Sequence, residues 1–286
     1  MRNLFYAIIL ILSLTACREI KVDKTKLLAS DYRLFQDTPA WDLAKAVDDN
    51  NIRKIRNVIK NNPSLINYQE PMYGNTVLIL AVFQHDYISF VQLLELGADV
   101  NLHDRLHGES AIITACKYDC GSKYVKKLLE YGADPNDLEV GERHEYNRTR
   151  YTPLRGAAEN GDIESVKLLI EAGADVNFCD EFGAYALKHA TIHHHYKVAL
   201  LLLENNADFT KIIFKGIDNQ KDRYLVDLLR QQMVKLGSEE HKDKMKIVDF
   251  LYKQGIDYHT HPIHEYILER IKEEYPDTWQ EYIEKY

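Results

Sequence analysis

The chain of 286 residues carries 36 Lys and Arg against 44 Asp and Glu, a formal net charge of −8. Its basic residues are dispersed, so it lacks the basic face that a nucleic-acid binder needs. The length suffices for a substantial buried core.

The first element is an apolar run from Leu4 to Leu14, preceded by Arg2 and free of acidic residues. It is too short to span a bilayer and ends in small residues, which predicts a signal peptide over 1–16. The following Leu14-Thr15-Ala16-Cys17 resembles the bacterial lipobox. That resemblance implies a lipidated, acylated Cys17 as the first mature residue and a tether over 17–37. Several acyl chains, at about 0.8 kcal/mol per buried CH₂, would hold the protein to a membrane. Arg18 in place of an aspartate favours the outer membrane under the Gram-negative sorting rule. The expected location is therefore the bacterial cell envelope, with the domain facing the periplasm or the cell exterior.

Farther along, Gly97-Ala98-Asp99, Gly132-Ala133-Asp134 and Gly173-Ala174-Asp175 recur, and Asn206-Ala207-Asp208 follows in phase. The aspartates stand 35, 41 and 33 residues apart, a period that marks stacked repeats. The clearest unit runs from Tyr151 to Asn177. Thr152 is placed to cap a helix with Pro153 in its first turn. Leu154, Ala157 and Ala158 give it a small apolar face, and Asn160-Gly161-Asp162 breaks it. Ile163, Val166, Leu169 and Ile170 form a second helix, which Gly173 ends. Helix, turn, helix and an extended Asp-x-Asn arm resemble the ankyrin repeat. The resemblance implies an all-α solenoid with β-hairpin-like arms over 38–258, clearest over 74–209, with a helical cap over 259–286. The turn glycine of Gly161 is replaced by Asn51, His85, Cys120 and His194 in the other units. After Asp208 the repeat pattern fades, and helices are expected at Tyr224–Leu236, Lys242–Gly255, Ile263–Glu274 and Thr278–Tyr286.

Motifs for catalysis are missing: there is no Gly-rich phosphate loop, no Gly-x-Ser-x-Gly and no His-Glu-x-x-His. Neither an enzyme nor a cofactor is expected. His193-His194-His195 falls on an inter-helix turn, where solvated, diverging side chains are expected. His259, His261 and His264 are better spaced for a metal, although Pro262 at a helix start explains the segment equally well. Cys116 and Cys120 could bridge only with strain, and buried free thiols are the simpler reading. Cys179 lies on an arm.

The resemblance implies that partners contact the hairpin tips and the concave face of the first helices. By position the tips are Tyr73, then Arg105, Leu106 and His107, then residues 138–150, then Glu181 and Phe182. The 41-residue spacing shows that one arm has grown, and insertions in repeat arrays collect on one face, often the binding face. Arg143, Tyr146, Arg148 and Arg150 give it the Arg/Tyr chemistry of interface hot spots, and Glu142 beside them is a further candidate contact. On the concave side Gln84, Lys117, Tyr118, Arg155, Glu159, Lys188 and His193 are expected. The function read from these residues is a lipid-anchored, non-enzymatic protein-interaction module, with a monomer as the expected state. One sharper form is an immunity protein neutralising an envelope-acting toxin. The rival is a metal- or small-ligand-binding protein using the His-rich C-terminal segment.

Overall fold

Thr152 shows how one unit is built: its hydroxyl accepts from the Arg155 amide and starts a helix with Pro153 in its first turn. A computed structural model describes residues 21–142, 149–216 and 221–286, and the same design recurs along it. The helix pairs are α1 (Trp41–Asp48) and α2 (Ile52–Asn61), α3 (Val77–Phe83) and α4 (Tyr87–Glu95), and α5 (Ala111–Lys117) and α6 (Ser122–Glu130). They continue as α7 (Pro153–Asn160) and α8 (Ile163–Glu171), then α9 (Ala186–Ile192) and α10 (Tyr196–Glu204). Small residues let the first helices stack closely. A Cβ built on Gly156 would meet the Cys116 and Lys117 backbone at 3.0 Å, so α5 and α7 approach closely there.

The tight turn inside each pair needs a left-handed residue. Gly161 (φ +75°), His85 (φ +60°) and His194 (φ +62°) hold it. In the first and third units the residue is Asn50 (φ +50°) and Asp119 (φ +50°), not the expected Asn51 and Cys120. Asn51 instead caps α2, its side chain accepting from the Lys54 amide. Cys120 turns its thiol into the core, where Sγ lies 3.9 Å from the Thr114 carbonyl.

The Gly-Ala-Asp-x-Asn phase has a hydrogen-bonding origin. Asn101 donates to the Gly132 carbonyl (3.1 Å) and accepts from the Asp134 amide (3.1 Å). Asn136 repeats this on Gly173 and Asp175, and Asn177 on Asn206 and Asp208. Each aspartate then accepts from the amide two residues on. The asparagines thus clip every arm to the next. The arms also join at their tips, through Arg105 N–H to the Tyr73 carbonyl (2.6 Å) and Val140 N–H to the Gly108 carbonyl (3.0 Å). The described residues contain no strand, and an isolated bridge between Phe214 and Arg223 is the nearest approach to a hairpin.

Past the array the elements are α11 (Leu225–Leu229), α12 (Glu239–Lys253), α13 (Glu265–Glu274) and α14 (Trp279–Lys285). α11 stops well short of Leu236, because the chain turns to bury Arg230, Gln232 and Val234. α12 begins earlier than expected because Ser238 caps it on the His241 amide. α13 begins at Glu265, so Pro262 does not start it. Ile267, Ile271, Tyr282 and Tyr286 form a small separate core. Arg230 ties it down by donating to the Tyr286 carbonyl (2.7 Å). At the other end Tyr32, Leu34 and Phe35 are buried, with Tyr32 and Phe35 in the main core. Just before them the chain crosses the concave side, where Asn75 donates to the Ala29 carbonyl and Gln84 to that of Ser30. No described helix is long and apolar enough to cross a membrane.

Candidate protein-binding groove

The concave floor is polar from α5 to α9. At the end of α5, Lys117 Nζ lies 2.6 Å from Glu109 Oε1 and 3.0 Å from Glu139 Oε1. Those carboxylate side chains are 4% and 0% exposed. Burial works against the ammonium, but the two carboxylates outweigh it and hold its pKa above the ordinary value. Burial also raises Glu109, against the pull of Lys117. Glu139 sits at the root of the grown arm and accepts from the Tyr151 amide (3.1 Å). A residue of the insertion therefore belongs to the interior.

Tyr151 carries the floor onward. Its ring lies 4.4 Å from Lys117 Nζ and 3.9 Å from the Arg155 guanidinium carbon, so it is held between two cations. Its hydroxyl donates to Glu159 (3.1 Å). Arg155 is buried, donates to the Arg150 carbonyl (2.7 Å) and approaches Glu159 Oε2 at 3.6 Å. His189 Nδ1 stands 3.1 Å from the same Oε2, and His193 Nε2 is 4.0 Å from Oε1. Burial is the main influence on His189 and lowers its pKa, against the pull of the Glu159 carboxylate. Burial opposes the Glu159 charge as well, but His189, Arg155 and Tyr151 together hold its pKa below the ordinary carboxylate value.

Four of the expected groove residues, Lys117, Arg155, Glu159 and His193, thus meet in one network. Tyr118 borders it, with its hydroxyl 3.4 Å from Glu109. Lys188 does not join; it donates to the Gly183 carbonyl (3.0 Å). Gln84 is engaged by the N-terminal segment. Between that segment and the helices lies a cavity of about 260 Å³, lined by Leu28, Ile79, Phe83, Leu106 and Tyr118 among others.

The tips are tied down more than the sequence suggests. Arg105 donates to the Glu70 carbonyl (2.6 Å), and Tyr73 donates its amide to the Glu70 carboxylate (2.6 Å). His107 accepts from the Gly141 amide through its carbonyl. Arg150 donates to Glu181 (3.1 Å) and to the Glu139 carbonyl (2.8 Å), bracing the grown arm against its neighbour. Glu142 and Phe182 remain exposed. Cys17, Arg143, Tyr146 and Arg148 lie outside the described residues.

His259, His261 and His264 do not converge. His261 pairs with Asp227 (3.1 Å), while His259 and His264 pack on Tyr258 and Tyr266 respectively. The central histidine run also departs from expectation. His194 takes the left-handed turn and meets Glu240 (2.9 Å), but His193 folds back to Glu159 with its ring stacked near that of His195. His189 is not marked by the repeat phase; its signal is the four-residue spacing from His193, one helical turn. Cys116 and Cys120 are buried free thiols, and burial pushes Cys120 up to about 12. Cys179 is free and exposed.

A family model described as ankyrin repeats (3 copies) matches residues 136–212, and one described as ankyrin repeat matches residues 73–105. A fowlpox virus (strain NVSL) protein named as ankyrin repeat protein FPV014 is 32% identical over 45% of this chain and 26% of its own length. A protein of Rickettsia bellii (strain RML369-C), also named for ankyrin repeats, is 34% identical over 41% of this chain and 54% of its own. The glycerophosphocholine phosphodiesterase GDE1 of Candida albicans is 36% identical over 40% of this chain and 9% of its own. The chain thus spans between 9% and 54% of the length of these relatives.

Proposed function

We propose that this chain, which carries ankyrin repeats over residues 73–105 and 136–212, is a protein-binding module without catalysis of its own. Its partner docks on the concave face between α5 and α9. The observation that carries the reading is the Tyr151 ring fixed between Lys117 and Arg155 on an open, rigid floor. Side chains already locked in place lose little further entropy on docking, so contact with them translates efficiently into affinity. Exposed Tyr118 and the half-exposed His193 flank the floor, and aromatic residues of this kind suit an interface centre. The other half of the concave side is crossed by Leu28–Ser30, which directs a partner to the stretch from Tyr118 to His193.

The test is capture of a partner from the source cells by the parent, by Tyr118→Ala/His193→Ala and by Glu181→Ala/Phe182→Ala. Loss in the first variant alone supports the groove. Loss in the second alone moves the site to the tips and contradicts the reading.

The finer proposal is that Cys17 carries lipid and holds the domain to a bacterial envelope membrane. Its support is the apolar run ending in Leu14-Thr15-Ala16-Cys17. Labelled palmitate should enter the parent and not Cys17→Ser; equal labelling of both, or none in the parent, removes the anchor.

A further inference from the structure

We propose that Glu159, His189 and His193 form a binding site for a divalent transition-metal ion on the concave face, with Zn²⁺ or Co²⁺ as the fitting class. One donor atom from each residue lies within 4.8 Å of the others, and His189 Nδ1 and Glu159 Oε2 are already 3.1 Å apart. Metal–ligand bonds of about 2.0–2.2 Å place neighbouring donors roughly 3.3 Å apart. The exposed His193 ring therefore has to move by about an ångström, which a surface imidazole does by rotation.

Three features of the site support the assignment. His189 and His193 are one helical turn apart and project from one face, with rings stacked 6.4 Å apart at 17°. Glu159 Oε2 and His189 Nδ1 are both buried and face each other, yet neither has a hydrogen-bond partner of proper geometry. Two buried ligand atoms that face each other without a well-formed hydrogen bond are costly, and a cation between them satisfies both at once. Finally, the His193 side chain is 46% exposed, so further coordination positions open to the groove, where water or a partner's side chain completes the shell.

Two imidazoles and a carboxylate exclude Ca²⁺ and Mg²⁺, which take oxygen shells, and suit borderline ions. Arg155, 3.6 Å from Glu159 Oε2, is the competing cation. It keeps its stacking on Tyr151 and its bond to the Arg150 carbonyl when it yields that carboxylate. Removing its charge should therefore tighten metal binding.

The experiment is Co²⁺ titration of the full chain followed by visible absorption, with Zn²⁺ as competitor. The expected result is one Co²⁺ per chain, displaced by Zn²⁺. Binding should weaken at least about tenfold in Glu159→Gln, His189→Gln and His193→Gln, and tighten in Arg155→Gln. His193→Gln changes an exposed side chain and keeps the fold, so its loss of binding cannot be attributed to unfolding. A His259→Ala/His261→Ala/His264→Ala variant should bind like the parent. The site is refuted if the parent takes no ion, if His193→Gln binds as tightly as the parent, or if only the C-terminal triple variant loses binding.

Discussion

Lys117→Met is the substitution whose effect the groove floor fixes most sharply. Lys117 is the cation shared by Glu109 and Glu139, whose carboxylates are 4% and 0% exposed at 2.6 and 3.0 Å. Each attraction is roughly 6 kcal/mol gross at the effective dielectric of a protein, most of it spent on desolvation. Methionine fills the space but leaves two acidic groups inside without this cation. Removing one partner of such a buried arrangement costs about 3–5 kcal/mol, so about 4 kcal/mol of stability should be lost at pH 7. The pH dependence has a definite sign. Burial raises Glu109, and loss of Lys117 raises it further, so protonation favours the folded variant. A carboxyl whose folded pKa is raised gives stability that is full below its unfolded value near 4.5 and lost as pH rises through the folded one. The deficit should therefore be largest at pH 7–8 and shrink toward pH 5. Urea unfolding followed by circular dichroism at both pH values measures it. Lys117→Met/Glu109→Gln/Glu139→Gln should recover most of the loss. A deficit below about 1 kcal/mol at pH 7, or one that does not change between pH 5 and 7, would refute the reasoning.

Three further outcomes are expected. Lys244 is buried against Tyr258 and Tyr286, and burial brings its pKa down to about 7 from the usual 10.5. The unfolded chain thus binds the extra proton between pH 7 and 10.5, and stability should rise by up to about 1.4 kcal/mol per pH unit above pH 7. Tyr196, Tyr258, Tyr282 and Tyr286, with raised values, reverse the trend near pH 10. Lys244→Met should flatten the pH 7–9 slope in chemical denaturation, and an unchanged slope would discard the assignment. Gly156→Ala gains helix propensity but forces a methyl against the Cys116–Lys117 backbone; a net loss of about 1–2 kcal/mol in thermal unfolding is expected, and stabilisation would mean that α5 and α7 are not in close contact. Asn136→Ala removes a donor to Gly173 and an acceptor for Asp175; about 1 kcal/mol should be lost, with faster hydrogen exchange at the Asp175 amide, and unaltered exchange there would count against the side-chain ladder.

The periodic parts of the fold were legible because each landmark performs a backbone task. Gly97, Gly132 and Gly173 take positive φ at helix ends, and the asparagine two residues beyond each aspartate clips adjacent arms. Where no landmark recurs, the chain carries no such local signal. The segment from Tyr224 has helix-forming composition, but burial of Arg230 and Gln232 bends it after Leu229, a tertiary effect with no local signature. Alignment by repeat phase points to Asn51 and Cys120 for the left-handed turn, and the structure places it one residue earlier, at Asn50 and Asp119. The turn is settled by which side chain caps and which enters the core.

The site was half legible. Arg155, Glu159 and His193 follow from their phase in the repeat, as do Lys117 and Tyr118. Glu139 and His189 do not. A glutamate inside a polar insertion reads as surface, and only the fold reveals that it closes on Lys117. The histidine run drew attention to the turn, whereas the partner of His193 lies one helical turn back on α9.

Hydrogen exchange of the full chain, alone and with its captured partner, tests the central claim most directly. Docking on the concave floor should slow exchange at the amides of Lys117, Tyr118 and residues 189–193, and leave the arm tips at Tyr73, Glu181 and Phe182 unchanged. Protection confined to those tips, with the floor unaffected, would contradict it.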